Sequence, residues 1–66
     1  MRLNEFVSAI RGSVFLHIKG SPERPMSIME FFYRYRGTTP WLSVVDKFYT
    51  SVIYGEYIFY EICLRR

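Results

Sequence analysis

Leu3, Phe6, Val7 and Ile10 recur at i, i+3, i+4 and i+7, which places four apolar side chains on one face of a helix running to about Arg11. Gly12 is its expected terminator: the residue after a helix often takes the left-handed conformation, and Arg11 in the last turn suits the negative end of the helix dipole. The period then changes. Val14, Leu16 and Ile18 alternate with Phe15, His17 and Lys19, as a strand covered on one side requires. Gly20-Ser21-Pro22-Glu23-Arg24-Pro25 stops the strand, because proline lacks the donor that a central ladder needs.

Ser27-Ile28-Met29-Glu30 fits a capping box, with the serine oxygen accepting from a free backbone N–H and the glutamate reaching back to the serine's own N–H. Ile28, Phe31, Phe32 and Tyr35 continue at helical spacing, and Gly37 stands where a terminating glycine belongs. The competing reading of 27–36 is a strand, given the aromatics of Phe31-Phe32-Tyr33-Arg34-Tyr35; the caps favour the helix. Thr39 as cap and Pro40 at the first position predict a short helical turn holding Trp41 and Leu42 against the core. Over 44–54, Trp41, Val44, Val45, Phe48 and Val52 match helical spacing, yet the density of Val, Ile, Thr, Phe and Tyr favours a strand. Residues 56–64 are also strand-like, and Tyr54-Gly55-Glu56 is short enough to close a hairpin.

The resulting order is α-β-α-turn-β-β in a single domain, 1–66. It predicts a small α+β fold: an antiparallel sheet of about three strands packed on one face by two helices. Val14, Leu16, Ile18, Ile58, Tyr60, Ile62 and Leu64 would meet Phe6, Val7 and Ile10 in the core. Phe15, Tyr57 and Phe59 alternate with that set and fall on the other face, an apolar patch that monomers usually avoid.

Composition sharpens this expectation. Six Phe, six Tyr and one Trp are 20% of the chain, and each large ring offers roughly 150–250 Å² when buried. A folded chain of 8.0 kDa exposes only on the order of 4,400 Å² in total. Some rings are therefore expected on a surface meant for a partner. Nine Lys/Arg against six Asp/Glu give a net charge of +3, a balance compatible with nucleic acid or another acidic surface. The single cysteine, Cys63, cannot form an internal disulfide, which favours a reducing, cytoplasmic setting. Glu5 stands where the apolar part of a secretory leader would begin. The longest uncharged stretch, residues 37–45, falls far short of the roughly 20 residues of a membrane helix.

Catalytic signatures are not found in the sequence. His17 and Asp46 are the only histidine and aspartate, and no nucleophile-elbow pattern surrounds any serine. One His and one Cys do not make a zinc site. Cys63, between Ile62 and Leu64, reads as a packing residue. Glu56 and Glu61 fall on opposite faces of their strand. The glycines stand singly, with no phosphate loop or dinucleotide fingerprint. The expectation is a chain that is not an enzyme and uses no cofactor or metal.

Tyr33-Arg34-Tyr35-Arg36 pairs rings that can stack with guanidiniums that can bind phosphate. As a strand it would separate tyrosines and arginines onto two faces; as a helix it scatters them. Arg11 to Ile18 resembles the octapeptide of RNA-recognition motifs at Arg11, Gly12, Phe15 and Leu16, and departs from it at Ser13 and Ile18. The layout as a whole resembles very small accessory proteins of phages and mobile elements: the Leu3–Phe6 helix start, a strand after glycine, and a closing hairpin with Gly55 ahead of Tyr57-Ile58-Phe59-Tyr60-Glu61-Ile62. That resemblance implies binding to a protein of a bacterial host and inhibition by occlusion, as in anti-CRISPR proteins. The leading expectation is thus a protein-binding module, its partner a host protein or a second copy of itself, anchored by Phe15, Tyr57 and Phe59 with Tyr33, Arg34 and Arg36 at the edge. The alternative is a small nucleic-acid-binding protein using Lys19, Arg34, Arg36, Arg65 and Arg66.

Overall fold

The structure is a computed structural model that describes residues 1–53 and 57–65, Ile53 by its backbone only. Helix α1 spans Leu3–Ala9, strand β1 Val14–Ile18, strand β2 Met26–Ser27 and helix α2 Ile28–Tyr35. A 3-10 turn over Thr39–Leu42 leads to strand β3, Val45–Ile53, and strand β4, Tyr57–Leu64. The predicted α+β class and the reading of 27–36 as mainly helix and 44–54 as strand agree with this. The link at 54–56 lies outside the described residues.

The sheet has four strands in the order β2-β1-β4-β3. It differs from the expected antiparallel sheet in two ways. Met26 and Ser27 add a strand by pairing with Leu16 and Phe15, a segment too short to show alternation. In addition, β4 lies beside β1 in parallel, with Leu16 opposite Tyr60 and Ile18 opposite Ile62, and is antiparallel only to β3. β4 takes the inner position, with Ile58, Tyr60, Ile62 and Leu64 on one side and Tyr57, Phe59, Glu61 and Cys63 on the other.

Both helices cover the same face. Leu3, Leu16, Phe31 and Ile62 are fully buried, joined by Phe6, Val7, Met26 and Tyr35, with Ile10, Ile18, Trp41, Tyr60 and Leu64 packed around them. Phe6 of α1 rests on Phe48 (ring centroids 4.9 Å) and Tyr60 (5.8 Å), while Phe31 and Tyr35 of α2 pack at 4.5 Å with their planes tilted by 41°. Ile58 is the exception in the predicted core, 43% exposed. Its neighbour Val52 is exposed too, so the helix layer stops short of that end of the hairpin.

Local chemistry explains the element ends. The Ser27 hydroxyl accepts from the Glu30 N–H at 3.3 Å, and the Glu30 carboxylate accepts from the Ser27 hydroxyl rather than from the expected backbone N–H. Gly37, at φ +75°, follows the last turn of α2 in the left-handed region. α1 ends two residues before the predicted limit. Ile10 is already extended, and Gly12, at φ +95°, turns the chain into β1 instead of closing the helix. Thr38, not Thr39, precedes the 3-10 turn. Trp41 packs against the core, but Leu42 is exposed.

Candidate functional site: the open face of the sheet

Opposite the helices, alternation presents Phe15 and His17 from β1, Lys47, Tyr49 and Ser51 from β3, and Tyr57, Phe59, Glu61 and Cys63 from β4. No helix covers this face among the described residues. Phe15 stands opposite Phe59 in the β1–β4 register and meets the Tyr57 ring edge-on at 5.2 Å. Tyr57 is exposed, whereas Phe15 and Phe59 are half-buried by one another and their neighbours. The three expected anchors therefore form one continuous strip.

Past Phe59 the face becomes polar. The Phe59 ring stacks on His17 at 6.4 Å, and His17 Nδ1 lies 2.8 Å from a carboxylate oxygen of Glu61. His17 Nε2 faces the Ser21 carbonyl at 3.2 Å, tying the loop after β1 to the sheet. A protonated ring donates to both acceptors, while a neutral ring has one N–H and serves only one. The carboxylate at His17 is thus Glu61, not Asp46; Asp46 lies 3.9 Å from Arg65. Cys63 stands opposite Lys47 on this face rather than in the core. The Lys47 ammonium, 5.8 Å from the Tyr49 ring centroid, is held above the ordinary lysine range. The neighbouring Tyr49 is the main cause, followed by Cys63.

Tyr33, Arg34 and Arg36 belong elsewhere. Tyr33 and Arg34 lie on α2 and Arg36 caps its C-terminal end, all on the helix side of the sheet, so they do not edge the open face as the sequence reading placed them. α2 turns Phe31 and Tyr35 inward, which leaves Phe32, Tyr33, Arg34 and Arg36 outside. Arg34 donates to the Glu23 carboxylate at 2.6 and 3.2 Å, a contact that raises its pKa first by hydrogen bonding and then by charge. Arg36 stacks over Tyr33 at 4.8 Å and Phe32 at 5.7 Å.

The nucleic-acid candidates are divided in the same way. Lys19 follows β1, its N–H bonded to the Ile62 carbonyl at 2.9 Å, and Arg65 follows β4, while Arg34 sits on α2 and Arg36 at its C-terminal cap. Arg66 lies outside the described residues. No group of three or more His, Cys, Asp or Glu is arranged to hold a metal among the described residues, and none of their helices is long and apolar enough to cross a membrane. Comparison with protein-family models, curated proteins and solved structures finds no match.

The His17–Glu61 pair is the element that sequence reasoning did not assemble. Alternation put His17 on the open face and leaves Glu61 there too, so the face was legible. The parallel register that brings residues 44 positions apart into contact was not.

Proposed function

We propose that this chain is a protein-binding module that docks another protein on the open face of its sheet. The supporting observation is the Phe15–Tyr57–Phe59 strip: three rings in mutual contact or register on a face without a helix, with Tyr49 half exposed on the same side. Rings held by a sheet lose little conformational freedom on binding, which makes them efficient anchors. The layout resemblance to phage and mobile-element accessory proteins names a bacterial host protein as the partner class and occlusion of that protein as the effect.

Alanine at Phe15, Tyr57 and Phe59 together tests this reading in a variant whose fold is checked by circular dichroism. Loss of a partner retained by the parent chain is expected. Unchanged capture overturns the assignment. Binding to short oligonucleotides that falls steeply as salt rises would instead favour a nucleic-acid ligand.

A further inference from the structure

β3 is one edge of the sheet, and only its start is covered. The Val45 N–H donates to the Met1 carbonyl at 2.8 Å, the Leu3 N–H donates to the Ser43 carbonyl at 2.9 Å, and Arg2 bridges Val44 in the antiparallel sense. From Lys47 to Ile53 the outer edge faces no strand among the described residues. The opposite edge is protected by brevity, since β2 has two residues and follows Pro25. β3 has such devices only at its start, where the ladder with β4 is irregular between Val45 and Lys47 and Lys47 carries a charge. Phe48-Tyr49-Thr50-Ser51-Val52-Ile53 carries no charge and no proline, and Phe48, Tyr49 and Val52 are 49%, 50% and 68% exposed. Apolar side chains thus stand out on both sides of an unpaired backbone.

We propose that this edge pairs with the same edge of a second copy of the chain, antiparallel about a twofold axis at Thr50. The two four-stranded sheets become one continuous sheet. An axis perpendicular to the sheet keeps each face on its own side, and Thr50 is the midpoint of the open run 47–53. In this register Phe48 meets Val52 of the second copy on the helix side, beside the groove of about 280 Å³ that Phe6, Ile10, Phe48 and Tyr60 line. Tyr49 meets Ser51 of the second copy on the open side.

The charge pattern selects a second copy as the occupant. Each Lys47 falls opposite Ile53 of the other chain, so the two ammonium groups sit roughly 20 Å apart along the strands. That distance is about twice the screening length at physiological salt, and the uncharged run pairs entirely with itself. The aromatic strip on the open face is left free, and the two binding surfaces fail or survive independently.

Sedimentation equilibrium of the full chain, from about 1 to about 200 µM, tests the proposal. A reversible dimer is expected. Val52→Lys, at an exposed position, sets an ammonium against Phe48 of the second copy and should raise the dimer dissociation constant at least about tenfold. A second measurement does not depend on that variant folding. In a Cys63→Ser background, Thr50→Cys places two thiols on the axis and should oxidise to a covalent dimer, whereas Thr39→Cys should not. A wild-type chain that stays monomeric throughout overturns the proposal. So does an unchanged dissociation constant in folded Val52→Lys, or cross-linking at Thr50 no faster than at Thr39. Loss of partner capture in the open-face variant would leave it intact.

Discussion

His17 and Glu61, 44 residues apart in sequence, meet at 2.8 Å across the parallel boundary between β1 and β4. The contact locks the register of the strands that carry the aromatic strip, because a slip would separate the pair and turn Phe15 away from Tyr57. Both side chains are largely shielded, at 18% and 24% exposure, so the pair contributes more than a surface contact would. A double-mutant cycle with His17→Ala and Glu61→Ala should give a coupling of about 1 kcal/mol by urea denaturation. A coupling near zero would remove the pair from the account.

Phe31 and Tyr33 test the orientation of α2. Phe31 is fully buried and Tyr33 is 60% exposed. Phe31→Ala should cost about 3–5 kcal/mol, most of the stability that a domain this small possesses. Tyr33→Ala should stay within about 0.5 kcal/mol. Thermal melts of the two variants check this, and comparable losses would contradict the packing described.

Gly37 holds φ +75° at the end of α2 with no atom near a built Cβ, so only backbone conformation opposes a side chain there. Gly37→Ala should therefore destabilise by about 1 kcal/mol. Equal stability by chemical denaturation would mean that the helix ends in another way.

Lys47 gives a pH test. Its pKa is raised in the folded chain, so its stabilising contribution is complete below the unfolded value of 10.5 and is lost as pH climbs through the higher folded value. Well above the folded value, where Lys47 is neutral, the stability difference between the wild type and Lys47→Met should have shrunk. A difference that grows there would reverse the sign.

Much of the fold was legible because its signals are local. The Leu3–Ile10 spacing, the Val14–Ile18 alternation, the Ser27 cap and Gly37 each act within a few residues, and each marks a real element or end. The same alternation placed Phe15, Tyr57 and Phe59 together on the face away from the core. What stayed hidden depends on pairing between distant strands. Met26 and Ser27 are a strand only because Phe15 and Leu16 lie alongside, and β4 is central only because β1 accepts it in parallel. The same long-range geometry sends Tyr33, Arg34 and Arg36 to the opposite side of the molecule from the rings that sequence reasoning grouped with them.

Oxidative labelling of aromatic side chains, in the free chain and with a captured partner bound, tests the docking face most directly. Protection of Phe15, Tyr57 and Phe59 on binding, with Tyr33 and Phe32 labelled as before, is the predicted result. Protection of Tyr33 and Phe32 with the open-face rings unchanged would contradict it.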